Sequence, residues 1–266
     1  MSGTRPFVSR LERFAEVDST QRIVAGWLAD GVAEVAVATA DVQRAGRGRT
    51  GRTWQAPPGA ALLVTCGFRP RGLPLAQAWR IAAVASLALA EAAEAQGLPD
   101  GTIGLKWPND LVADGPAGDP LKLAGVLGEV AAAAEGTVTT CLVGLGINVD
   151  WPAATFPPEL APAMTSLREL AHRPVDRDAL LEGVLDRLEP RYEALMTGRF
   201  DSAGWTGRQR TTGRRVTLQA GDEVVEGLGV GVDPLSGALL LEQDGVVRHF
   251  DSAEVLRCRM APAGRL

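Results

Sequence analysis

Histidine is nearly absent. His172 and His249 are the only two in 266 residues, and neither has a cysteine or a second histidine at ligand spacing. That argues against a protein-held zinc ion and against histidine-centred nucleophilic catalysis, since both need imidazole beside other donors. Cys66, Cys141 and Cys258 lie far apart in apolar or mixed sequence and read as buried thiols, not as a disulfide framework. The longest apolar stretch, Ile81 to Ala90, is alanine-rich and too short to span a bilayer, so no membrane partner is expected. The N-terminus lacks the basic, apolar and small-residue succession of a secretion signal, and the expected location is cytoplasmic.

Acid is also missing where it would be informative. From Val42 to Ala90 there is no Asp or Glu but seven arginines, in a chain whose net charge is -5. Four of the seven fall within Arg44-Ala45-Gly46-Arg47-Gly48-Arg49-Thr50-Gly51-Arg52. Glycine lets backbone approach a ligand closely, and guanidinium holds phosphate or carboxylate through paired hydrogen bonds, so the segment reads as an anion clamp. Gly46, Gly48 and Gly51 match G-x-G-x-x-G, but a dinucleotide fingerprint must open a helix, and Thr53-Trp54-Gln55-Ala56-Pro57-Pro58-Gly59 does not. A solvated loop and a nucleic-acid patch are the other readings; the acidic balance and the single short basic run speak against nucleic acid.

Asp18-Ser19-Thr20 precedes a helical stripe, which places a first helix over 20–29, with Ser19 as a credible cap. Strands are expected over 34–40 and 61–68 on either side of the arginine segment, then a helix over 75–96. Further strands follow at 102–107, 111–113, 123–131 and 137–149, with a turn at 115–120, and a helix at 178–195. From about Gly213, five short strands at 216–218, 223–225, 229–232, 238–241 and 246–250 suggest a small barrel. The expected fold class is α+β: a mixed, mostly antiparallel sheet packed with helices in residues 1–208, and an SH3-like β-barrel in residues 209–266.

Lys106-Trp107-Pro108-Asn109-Asp110 puts a lysine at a strand end, where it is either a point charge for an anion or an exposed residue before an Asn-Asp turn. Lys122-Leu123-Ala124-Gly125 and Gly144-Leu145-Gly146-Ile147-Asn148 carry glycines inside apolar strands, which mark a bulge or a close backbone approach. In this order, with the arginine loop and Asp18-Ser19-Thr20 upstream, these segments resemble the catalytic domain of the biotin protein ligases, from about residue 15 to the small β domain.

The resemblance implies a class II synthetase-like catalytic domain and a two-step reaction. Biotin and MgATP give biotinyl-5′-AMP, which then acylates a lysine of a biotin carboxyl carrier domain. It further implies that Ser19, Thr20 and Gln43 hydrogen-bond the ureido head of biotin, and that Trp107, Leu111, Gly125 and Gly144 line its pocket. Gly46, Arg47, Gly48, Arg49 and Lys106 would complete the biotin side, with Lys106, Arg47 and Arg49 catalytic. Arg49, Arg52, Trp54, Asn109, Lys122 and Asn148 would meet ATP or the adenylate, Trp54 by covering adenine. Mg²⁺ would arrive with ATP, and a homodimer is compatible with the family. Trp54 and Trp107 also read as plain core, and Arg44 stands where other members often have an uncharged residue. About seventeen residues precede Asp18, too few for a helix-turn-helix repressor domain, and the 113–121 connection has no expected role. A lipoate-type ligase and a nucleic-acid-binding module are the alternative functions.

Overall fold

The computed structural model describes residues 6–116 and 118–260. The larger unit begins with β1 (Arg10–Val17), α1 (Thr20–Ala29), β2 (Ala36–Gln43), β3 (Ala61–Phe68), α2 (Trp79–Glu94), β4 (Gly104–Lys106), β5 (Asp110–Asp114), β6 (Pro120–Ala132) and β7 (Val138–Asn148). Their strands form one sheet in the order β1-β2-β3-β7-β6-β5-β4. Only β1 and β2 are parallel; every other pair is antiparallel.

Both faces of this sheet are covered, and the alternation along β2 shows how. Ala36 and Ala38 pack with Val24 and Leu28 of α1, whereas Val35 and Val37 join the large core that contains α2 and α4 (Arg177–Met196). A strand covered on both sides has no polar face, so β3 is buried throughout. The small side chains on the α1 face set the helix close to the sheet. A Cβ on Gly67 would sit 2.4 Å from Val24 Cγ1.

The expected helix over 75–96 is a 3-10 turn at Leu75–Gln77 followed by α2. Two further helices, α3 (Leu167–Ala171) and α5 (Ser202–Gly207), flank α4 in sequence. β1 carries no apolar alternation because it is an edge strand whose residues are mostly half-buried or exposed.

The C-terminal unit is a five-stranded antiparallel sheet of β8 (Arg214–Ala220), β9 (Glu223–Val232), β10 (Leu239–Gln243), β11 (Val246–Phe250) and β12 (Glu254–Met260), ordered β11-β10-β9-β8-β12. Five strands are present, but divided differently from the expectation. Residues 223–225 and 229–232 belong to one strand, because Gly227 and Gly229 mark close crossings and not a turn: a Cβ there would meet Glu242 O at 2.5 Å and Thr211 O at 2.2 Å. The fifth strand is β12, whose charged sequence hid it.

Three of the contacts that join the two units lie along the β4–β5 hairpin. The segment leading into the C-terminal unit, anchored where Arg208 makes a bidentate pair with Glu94 at 2.7 and 2.9 Å, pairs with β4 through Leu105. Trp107 Nε1 donates to Gly237 O at 3.0 Å. The connection between β5 and β6 supplies the third: Arg214 bonds Asp114 Oδ1 at 2.5 Å and Gly118 O at 2.6 Å, which gives the 113–121 stretch a docking role (Ala117 lies outside the described residues).

Candidate active site

The site opens on the α1 face of the sheet, where the strands lack side chains. Gly125 of β6 and Gly146 of β7 are direct cross-strand partners, and Gly144 lies opposite Thr65 of β3. Three missing side chains leave a hollow in an otherwise close-packed surface. The resulting cleft has a cavity volume of about 150 Å³.

The arginine segment folds over this hollow as a narrow hairpin. Trp54 N donates to Gly46 O at 3.0 Å and Gly48 N to Arg52 O at 2.7 Å, with Arg47 paired to Thr53 between them. Gly46 is required by closeness, since a Cβ there would lie 2.5 Å from Trp54 O; Gly51 is required by its φ of 76°. The tip is a 3-10 turn over Arg49–Gly51, so no helix N-terminus is offered and the dinucleotide reading fails on structure as well as on sequence.

Trp54 lies across the glycine floor. Its indole comes close enough that a Cβ on Gly146 would sit 2.7 Å from Cε2 and one on Gly125 3.1 Å from Cζ3, and Lys122 Nζ stands 5.5 Å from the ring centroid. We expect Gly146→Ala to force the indole off the floor and to destabilise the fold by about 1–3 kcal/mol. Thermal melting of the variant checks this, and a Gly146→Ala, Trp54→Leu double change should recover part of the loss; full additivity would contradict the contact.

Five cations reach the cleft: Arg47, Arg49, Arg52, Lys106 and Lys122. Arg47 pairs with Glu129 Oε1 at 2.6 Å, Lys122 with Asp110 Oδ1 at 2.7 Å and Arg52 with Glu254 of β12. Arg49 donates to Ser252 Oγ at 3.3 Å. Burial draws the Arg49 guanidinium below its ordinary value; Asp110 opposes this and Arg52 adds to it. Lys106, at the end of β4 before the cis Trp107-Pro108 bond, makes no ion pair among the described residues. Arg44 instead points away, bonded to exposed Glu16 at 2.6 Å, which lowers the carboxyl and raises the guanidinium.

Of the residues expected at the site, Thr20, Gln43, Arg47, Gly48, Arg49, Arg52, Trp54, Lys106, Trp107, Asn109, Lys122, Gly125 and Gly144 line one cleft. Four do not. Ser19 is buried at the α1 N-cap, where its side chain makes no capping bond; Gly46 lies within the hairpin stem. Leu111 is fully buried in the core, because the β5 alternation turns it inward. Asn148 is buried at the end of β7, on the same face as Gly144 and Gly146 but outside the cleft, with Nδ2 donating to Thr165 O at 2.9 Å. Asn109 uses its amide to bond Val126 O at 3.0 Å.

The structure adds Gln21, Thr65, Asp110, Gly146 and, from the C-terminal unit, Ala253 to Val255. Thr65 had a signal, being the one polar residue between Ala61 and Cys66 of an apolar strand. Asp110 and Gly146 stand inside the motifs already noted. The C-terminal residues had none, since they come from β12 and the turn before it.

Comparison with known proteins agrees with this arrangement. Residues 14–148 match the biotin/lipoate A/B protein ligase family, and residues 211–257 match the biotin protein ligase C-terminal domain. The chain is 32% identical over 246 residues to the biotin–acetyl-CoA-carboxylase ligase of Mycobacterium tuberculosis, covering 91% of this chain and 85% of that one. It is 29% identical over 241 residues to the bifunctional ligase/repressor BirA of Bacillus spizizenii, covering 90% and 71%. The biotin protein ligase of Aquifex aeolicus in complex with biotin and ATP superposes with a TM-score of 0.76 at 27% identity, covering 93% of this chain and 99% of that one. With both units matched and the arginine hairpin, Lys106 and the glycine floor in one cleft, the chain belongs to the biotin/lipoate A/B protein ligase family.

Proposed function

We propose that this protein is an ATP-dependent biotin protein ligase, and the observation that carries the reading is the convergence of five cations on a cleft with a hydroxyl-and-amide end at Thr20 and Gln43. It activates biotin with ATP to biotinyl-5′-AMP and transfers biotin to a lysine of a biotin carboxyl carrier domain. In the first step a carboxylate oxygen of biotin attacks the α-phosphorus and pyrophosphate leaves. Two anions must be brought together, and Arg47, Arg49, Arg52, Lys106 and Lys122 supply the charge that makes this feasible. In the second step the neutral acceptor amine attacks the acyl carbon, AMP leaves, and the amine gives up a proton.

Each cleft arginine already sits beside an oxygen of the protein, Glu129 for Arg47 and Glu254 for Arg52. A bound carboxylate or phosphate replaces those partners with its own oxygens. A Mg²⁺ arriving with ATP would be held mainly by the phosphates, with Asp110, paired to Lys122 at 2.7 Å, as one carboxylate that lines the cleft. Mg²⁺ would supply charge neutralisation there. Among the described residues no helix is long and apolar enough to cross a membrane.

Biotin-dependent exchange of labelled pyrophosphate into ATP tests the first step, and no exchange above a biotin-free control would remove the reading. The mixed anhydride is destroyed by water, so we further propose that the 44–53 hairpin closes over it. Arg47→Ala should leak adenylate roughly 10- to 100-fold faster, the equivalent of a lost hydrogen bond to a charged group. Unchanged retention of radiolabelled adenylate on a spin column would sink that role.

A further inference from the structure

Three side chains at the polar end of the cleft form a directed chain. Gln43 ends β2, Thr20 opens α1, and Thr65 lies in the middle of β3 with 0% of its surface exposed. The Thr20 backbone N–H can only donate, and it meets Gln43 Oε1 at 2.8 Å, which fixes the orientation of the Gln43 amide. The Thr20 hydroxyl reaches the same oxygen at 3.1 Å. A hydroxyl has one proton, and Thr20 uses it there. The 2.8 Å contact between Thr20 Oγ1 and Thr65 Oγ1 therefore runs with Thr65 as the donor.

That direction has a chemical consequence at the cleft. With Gln43 Oε1 occupied by two donors, its NH₂ group is the part left to bond a ligand. Thr20 Oγ1, having donated once and accepted once, keeps one lone pair. The end of the site thus presents amide N–H donors beside a hydroxyl acceptor. A cyclic urea offers the complement: a carbonyl that accepts and ring N–H groups that donate.

We propose that Thr65 is a positioning residue for urea recognition, acting through Thr20. It saturates Thr20 from behind, so that the Thr20 proton stays on Gln43 and both groups face the ligand in one fixed polarity. The inference rests on the biotin ligase reading. Without the Thr65 hydroxyl, the Thr20 proton can rotate off Gln43 Oε1 toward the ligand, while the backbone N–H still holds the Gln43 amide, and a fraction of the molecules would offer the urea the wrong pattern. The chemical step, which occurs at the other end of biotin, should be untouched.

Thr65→Val removes the hydroxyl at nearly constant shape, and Thr65→Ser keeps it. The probe is biotin, measured by titration calorimetry and by biotin-dependent pyrophosphate release at saturating ATP. Thr65→Val should raise both Kd and KM for biotin roughly 3- to 10-fold, the range for one neutral hydrogen bond, and leave kcat within about twofold. Thr65→Ser should stay within about twofold of the parent in all three. A Val variant with the parental KM, or a Ser variant impaired as much as Val, would overturn the assignment. If melting curves show that the Val variant does not fold, Thr65→Ala is read against Ser in the same way. A parent that neither binds biotin nor releases pyrophosphate removes the functional reading; a normal parent with an indifferent Val variant removes only the role of Thr65.

Discussion

Lys106→Met is expected to slow biotin-dependent pyrophosphate release about 100- to 1,000-fold, the usual cost of removing one preorganised group that stabilises transition-state charge. The size follows from its surroundings. The other four cleft cations each hold a carboxylate or hydroxyl partner, whereas Lys106 makes no ion pair among the described residues and reaches the cleft uncommitted. Its position is set by register: Lys106 faces Asp110 across the β4–β5 hairpin, so the strand end and not a mobile loop carries the charge. On the proposal that Lys106 meets the adenylate in both steps, transfer to a carrier domain from preformed adenylate should fall as well. Lys106→Arg should restore little, since a planar guanidinium does not reproduce a compact ammonium. Biotin affinity, dominated by the far end of the ligand, should change by less than about tenfold. A Met variant with parental kcat would show that the charge is supplied elsewhere.

The second large effect lies outside the cleft. Glu94, 3% exposed at the end of α2, accepts from Arg208 Nη1 and Nη2 and from the Ile103 backbone N–H at 2.9 Å. Glu94→Ala leaves the Arg208 charge buried without its partner and should cost about 3–5 kcal/mol in a chemical denaturation curve. Since Ile103 and Arg208 bracket β4, activity should fall beyond what the unfolded fraction explains. Burial is the largest influence on the Glu94 carboxyl and pushes it up, but the bonds from Arg208 and Ile103 together outweigh it, and the net direction is down. A carboxyl held below its unfolded value contributes stability that is complete above that value, near pH 4.5, and is lost as pH falls through the lowered folded value. The stability gap between the parent and Glu94→Gln should therefore narrow below about pH 4. A gap independent of pH would contradict the ion pair.

Much of the site was legible because its chemistry depends on local sequence. The arginine hairpin announces itself by the missing acids, and strand-interior glycines at 125, 144 and 146 signal a hollow. Thirteen of the expected residues line one cleft. What escaped is long-range. Whether Leu111 faces core or cleft depends on the register of β5 against β6, and a register shift between Leu111 and Val112 lies in that pairing. Glu254 and Ser252 reach Arg52 and Arg49 only because the C-terminal sheet docks through the Arg210–Leu105 backbone bond, Trp107–Gly237 and the β5–β6 connection. No local pattern encodes such contacts. Edge strands were the weak point of the fold reading for a related reason: β1 and β12 bury little, so neither carries the apolar alternation by which strands are recognised.

The most direct measurement is the intact mass of a purified biotin carboxyl carrier domain after incubation with this protein, biotin and MgATP. A ligase of this kind adds one biotinyl group to the carrier, only when all three are present, and a carrier whose acceptor lysine is replaced by arginine gains nothing. An unchanged carrier mass with active protein, or an equal gain in the absence of ATP, would contradict the assignment.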